Sequence, residues 1–175
     1  IGLLTEKEGN DIIEKLDEIL KLHKSGEFKI REENEDIHTE IENYLVQELG
    51  DIGKRIHVGR SRNDQVLTDM RLFSKAEIKR AQKELLKTAE TLLEFARENE
   101  FVPLPGFTHM QYAMPSSFGQ WSGAFIESLI NDFSILETAY NLNNQNPLGS
   151  GSGFGSSVPL DREKTTEILD FERVQ

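Results

Sequence analysis

Residues 59–103 read GRSRNDQVLTDMRLFSKAEIKRAQKELLKTAETLLEFARENEFVP. Between Gly59 and Pro103 there is neither Gly nor Pro, the two residues least compatible with a helix interior. Val66, Met70, Phe73, Ala81, Leu85, Ala89, Leu92 and Ala96 recur at three- and four-residue steps, or twice that, the spacing of one helical face. The pattern predicts a single helix of roughly 35 residues, about 50 Å long. An apolar stripe of that length needs cover along all of it. Other long helices or other subunits are therefore expected beside it.

The segments on either side repeat the helical theme. In TEKEGNDIIEKLDEILKLHKSG (5–26), Thr5 and Glu8 form a capping-box pattern, and Ile12, Ile13, Leu16, Ile19 and Leu20 make an apolar stripe. Gly26 is the expected stop. In NEDIHTEIENYLVQELGD (34–51), Ile37, Ile41, Tyr44, Leu45 and Leu49 share a face, with Asn34 as the expected cap and Gly50 as the end. After the long helix, PLPGFTHMQYAMPSSFGQW (103–121) reads as a Pro/Gly-rich turn. A fourth helix is expected from about Ser116 to Asn141, with Phe118, Trp121, Phe125, Leu129, Phe133, Leu136 and Tyr140 on one stripe. Residues 101–126 carry no charged side chain, so this helix is expected at the centre of a bundle. NPLGSGSGFGSSVPLDRE (146–163) is a Gly/Ser loop leading to Asp161, the expected cap of a last helix cut off at Gln175. No β-strand pattern holds, and no internal repeat is evident. The fold class is all-α, a long-helix bundle. Residues 1–52 form an N-terminal helical part and 53–175 the bundle region.

Composition narrows the function. The 175 residues are 37% hydrophobic and 29% charged, a globular balance. The net charge of −11 argues against nucleic acid as a partner of the overall surface. There is no cysteine, which excludes disulfides, thiolate metal sites and cysteine nucleophiles and fits a reducing cytoplasm. No apolar run of about eighteen residues is present, so no helical membrane span is expected. No signal peptide is visible, and the chain starts inside a helical pattern without an initiator Met, as a fragment does.

One charge feature stands apart. From Lys54 to Asn63 the chain carries Lys54, Arg55, Arg60 and Arg62 and no acid; with those four set aside, the rest holds −15. Such an island suits a small anionic ligand in a cleft. It equally suits arginines that only balance neighbouring acids such as Asp51, Asp64 and Asp69. The sequence alone leaves both open.

Several site types fail on their own chemistry. GSGSGFGSS (149–157) could cradle a phosphate, but it lacks the P-loop Lys and follows no strand. His23, His38, His57 and His109 form no pair of the zinc-helix kind, so no metal is expected. No nucleophile-elbow sequence appears. His109 differs from the other three. It sits at a charge-free junction between two apolar helices, with Thr108 and Gln111 beside it. Buried polar groups need partners, at about 1–3 kcal/mol each if unmade. The three either satisfy one another or point at a ligand carboxylate.

Taken together, EDIHTEIENYL (35–45), GRSRNDQVLTDMRLF (59–73), LPGFTHMQYAMPSSFG (104–119) and NPLGSGSGFGSSVPLDRE (146–163) resemble the argininosuccinate lyase family of the fumarase/aspartase superfamily. The resemblance covers essentially the whole chain. It implies a long-helix bundle of the fumarase/aspartase type and β-elimination of argininosuccinate to arginine and fumarate, in arginine biosynthesis. It also implies a homotetramer whose active sites each draw on three subunits, with no cofactor or metal. On the matching positions, Ser61, Arg62 and Asn63 lie at the substrate, with Asn63 holding a carboxylate. Thr108 binds substrate beside His109, the acid/base residue, and Gln111 supports the site. Fixed donors aimed at the charge that develops on a carboxylate suit this chemistry.

The departures are equally concrete. The family's upstream substrate-contacting Ser and its downstream GSSxMPxKxN loop have no match here; GSSVPLDRE (155–163) lacks the Lys and Asn. Val58 stands where the family usually has Thr, and Tyr112 where it often has Arg. The 175 residues alone are therefore expected to be inactive. The competing readings are a sister lyase releasing fumarate from another substrate, and a non-catalytic helical scaffold of the crystallin kind.

Overall fold

The computed structural model describes residues 2–175. Chain contacts sort it into two compact units, Ile1–Thr68 with Asn146–Gln175, and Asp69–Gln145.

The first unit opens with α1 (Glu6–Ser25). Thr5 and Glu8 close a complete capping box, and Gly26 ends the helix in the left-handed conformation at φ 79°. Helix α2 (Ile37–Leu49) is capped by Asp36, whose carboxylate accepts from Thr39 N–H. The cap is Asp36 and not Asn34, whose Oδ1 accepts from Asn43 Nδ2 and whose Nδ2 donates to Glu40. Gly50 separates α2 from the short α3 (Asp51–Lys54), and a 3-10 turn follows at Arg55–His57. The core is small: Ile12, Ile19 and Leu45, with Leu16, Phe28, Ile41, Tyr44, Leu49, Ile52 and Ile56 packed on it. Gly53 lies directly on the Leu45 backbone; a Cβ there would stand 2.5 Å from the Leu45 carbonyl. Glu40 is buried, and its carboxylate accepts from Arg31 N–H at 3.1 Å, from Arg31 Nε at 3.0 Å and from Asn34.

Helix α4 (Arg62–Glu98) is the long element that the sequence predicts, 37 residues without a break. Its first turns belong to the first unit. In the second unit it is followed by two strands and α5 (Phe118–Asn143). The strands, β1 (Pro103–Thr108) and β2 (Gln111–Ser117), pair antiparallel with a register shift between Pro105 and Phe107. This hairpin corrects the expectation of a plain turn. Three prolines hid it, and His-Met replaces the Asn-Gly that usually marks a two-residue hairpin loop. Helices α4 and α5 run antiparallel. Arg71 Nη1 donates to Gln145 C=O at one end, and Phe95 meets Phe118 edge-on at 6.4 Å at the other. Lys79 Nζ lies 5.0 Å from the Tyr140 ring centre. The expected α5 stripe is covered in part: Phe118, Leu129, Phe133, Leu136 and Tyr140 are half-buried, while Trp121 and Phe125 remain about half exposed. Off that stripe, Ile130 and Ile135 are more exposed still.

The closing segment of the first unit is the loop 147–161 and α6 (Arg162–Ile168), capped by Asp161 as expected. The helix stops at Ile168, short of the expected Gln175. Asn146 is fully buried, donating to Thr165 and Thr166 hydroxyls and accepting from Leu148 N–H. Arg162 gathers the carbonyls of Leu148, Asn146 and Gln175. The fold class is all-α, with short strands only. Among the described residues no helix is long and apolar enough to cross a membrane.

Candidate active site

The turn before α4 is built by one carboxylate. Asp64 is 2% exposed. Its Oδ1 accepts from Ser61 N–H at 3.1 Å, the reciprocal bond of a capping box, while Ser61 Oγ accepts from Asn63 N–H. Its Oδ2 accepts from Gly149 N–H at 3.0 Å and Gly151 N–H at 2.7 Å. One buried anion thus ties the start of the helix to the Gly/Ser loop. Gly151 sits at φ 56°, and a Cβ there would stand 2.5 Å from Gly155 C=O, so the loop needs glycine at that point. The Ser61-x-x-Asp64 spacing was a legible helix-start signal that sequence reasoning passed over.

Above this anchor, three polar side chains form a triangle. Asn63 Nδ2 donates to Ser152 Oγ at 2.8 Å and to Ser61 Oγ at 3.2 Å, and the two hydroxyls are 2.5 Å apart. Asn63 and Ser152 both line a cavity of about 440 Å³ with Asp64, Leu67, Pro147, Ser150, Gly153 and Gln175. That volume suits a small organic ligand. Ser152 was not singled out from the sequence.

Arg62 is turned the other way. Its Nε pairs with Asp36 Oδ2 at 2.9 Å and its Nη1 with Glu42 Oε1 at 3.0 Å, with further bonds to Gln65 and Thr39. Burial would raise the Asp36 carboxyl, but the Thr39 amide and hydroxyl and the Arg62 guanidinium hold it below its ordinary value. Lys54 pairs with Asp51 at 2.6 Å and Arg55 with Glu8 at 2.9 Å. Three of the four island cations therefore balance local acids. Arg60 makes no ion pair among the described residues and lines a separate cavity of about 210 Å³ with Arg162 and Lys164.

Thr108, His109 and Gln111 lie in the second unit, at the tip of the β1–β2 hairpin, and all are exposed. Thr108 pairs with Gln111 across the strands. His109 (φ 47°) and Met110 (φ 61°) are the two turn residues, both in the left-handed region that non-glycine residues enter at a cost of about 1–2 kcal/mol. Strain of this kind gathers at functional sites. Among the described residues no group of three or more His, Cys, Asp or Glu is placed to hold a metal.

The chain belongs to the lyase family, whose model matches residues 1–174. Its relatives narrow the likeness. It is 48% identical over 172 residues to the argininosuccinate lyase of Phocaeicola vulgatus and 46% to that of Parabacteroides distasonis, in each case over 98% of this chain and 39% of the relative. It is 45% identical to the argininosuccinate lyase of Thermotoga neapolitana, covering 99% of this chain and 44% of the relative. The chain thus spans well under half the length of these relatives. Among solved structures, an EDDS lyase in complex with formate superposes with a TM-score of 0.86 at 24% identity, over 99% of this chain and 34% of that one. A fumarate lyase:delta crystallin from Brucella melitensis gives 0.73 at 22% identity, over 98% of this chain and 42% of that one. At those identities the likeness concerns the fold alone.

Proposed function

We propose that the full-length protein carrying this chain is an argininosuccinate lyase, a carbon–nitrogen lyase of arginine biosynthesis in the cytoplasm. The observation that carries the reading is the Asn63 carboxamide, held by two hydroxyls at the rim of a cavity of ligand size. Three relatives at 45–48% identity bear that name.

In this reading a base removes the proton beside a substrate carboxylate, the C–N bond breaks, a C=C bond forms, and the departing guanidino nitrogen takes up a proton. The products are fumarate and arginine. The carboxylate next to the carbanion gains negative charge on the way, so donors fixed before the reaction stabilise it most. Ser61, Asn63, Thr108 and Gln111 are such donors. Arg62 supports this turn from outside the cavity, through its ion pairs with Asp36 and Glu42. His109 serves as acid/base, its imidazole exposed at the hairpin turn and able to give or take a proton there. No metal or cofactor takes part. The protein assembles as a homotetramer with sites shared between subunits, which accounts for the uncovered apolar faces of α4 and α5. The boundary at residues 52/53, between a helical N-terminal part and the bundle region, belongs to the same reading, and the 175 residues alone lack activity.

The test is fumarate release by the full-length protein from argininosuccinate, adenylosuccinate and aspartate. Turnover of argininosuccinate, with loss of at least about a hundredfold in kcat/KM for Asn63→Ala, is the expected result. Release from adenylosuccinate alone overturns the substrate, and absence of both turnover and binding heat points to a scaffold.

A further inference from the structure

We propose that Ser152 is a positioning residue for the substrate: its hydroxyl, with that of Ser61, aims the Asn63 carboxamide into the cavity that all of the proposed chemistry at this turn uses. The inference rests on the reading of Asn63 above and adds to it a residue from a loop 89 positions away. Two independent observations carry it.

The first is hydrogen-bond accounting. The Asn63 amide has two N–H groups and each hydroxyl one O–H, four donor hydrogens in all. Two N–H groups go to Ser61 Oγ and Ser152 Oγ, and one hydroxyl donates to the other. One hydroxyl hydrogen remains for an incoming anion. An arriving carboxylate can also open the triangle and take the amide directly. Without the Ser152 hydroxyl, Asn63 Nδ2 keeps only its longer bond, 3.2 Å to Ser61. The carboxamide is then free to rotate before substrate arrives.

The second is backbone strain. Ser152 sits at φ 58°, in the left-handed region, between Gly151 and Gly153. The loop supplies glycine at φ 56° and 86° on either side. Glycine at 152 would adopt the same conformation without cost from Cβ. A serine in that position keeps a hydroxyl at the expense of the local backbone, the pattern expected where a side chain is needed. The loop beneath is held by Asp64 through Gly149 and Gly151, so the hydroxyl is presented from a fixed base.

The experiment uses the full-length enzyme with argininosuccinate, and the variants Ser152→Ala, Ser152→Gly, Asn63→Ala and the Asn63→Ala/Ser152→Ala double. Both Ser152 variants are expected to raise KM about tenfold, the worth of one hydrogen bond, with kcat within about twofold. Ser152→Gly is expected to keep or raise Tm, because it relieves the strained φ, so its loss of affinity cannot be a loss of fold. In the Asn63→Ala background, Ser152→Ala is expected to change KM less than about twofold. A parental KM in both single variants, an equal KM effect with Asn63 absent, or a Tm that falls together with affinity in the Gly variant each overturns the assignment. Parental kinetics in Asn63→Ala would instead overturn the reading of the site itself.

Discussion

Single residues carry the clearest tests. Glu40 is buried and accepts from the Arg31 amide and guanidinium and from Asn34. Burial alone would raise its carboxyl, but those donors outweigh it and hold the group below 4.5. A depressed carboxyl stabilises the fold above its unfolded-state value and loses that effect as pH falls through the folded one. The denaturant midpoint is therefore expected to drop as the solution is acidified below pH 4.5, and Glu40→Gln to flatten that drop. At pH 7 the same variant is expected to cost about 1–3 kcal/mol. His109→Ala in the full-length protein is expected to lower kcat by orders of magnitude with an unchanged melting temperature, since the ring is exposed and packs no core. Unchanged turnover would remove His109 from the chemistry. Asp64→Asn places an amide against three N–H donors, and faster hydrogen exchange at Gly149 and Gly151 is the expected mark.

At the scale of elements, the helices were legible and the hairpin was not. Caps that rest on local bonds, Thr5 with Glu8, Asp161, Gly26 and Gly50, could be read because their partners lie within four residues. Asn34 does not cap because its acceptor oxygen takes the Asn43 carboxamide, a partner visible only once the loop folds back on α2. The β1–β2 pair was hidden because its turn relies on strained His109 and Met110 in place of glycine. Met110→Gly is accordingly expected to stabilise the hairpin by up to about 1 kcal/mol, seen as slower amide exchange in β1 and β2. Gly53→Ala acts in the opposite direction. Its methyl would meet the Leu45 backbone, which cannot move aside without opening the core, and a loss of about 1–3 kcal/mol or more is expected in thermal unfolding.

For the whole molecule, the sequence supplied the class of fold and candidates for one side of the proposed site. Ser61 and Asn63 could be found from their own motif, whereas Ser152 could not, because nothing local in a Gly/Ser loop reveals a contact 89 residues back. The proposed self-association draws support from the apolar faces: Phe73, Ile130 and Ile135 are each more than half exposed. Ile135→Glu in the full-length protein is expected to lower the sedimenting mass of the assembly if that face is an interface. The pairing of Lys54, Arg55 and Arg62 with acids has a kinetic side as well. With those cations paired, the segment as a whole presents −11 to any approaching anion. Diffusional encounter is then opposed by long-range repulsion, which dissolved ions damp within about 10 Å at 0.1 M. Anions should accordingly meet this segment more often as ionic strength rises, the reverse of a surface that draws them in by opposite charge.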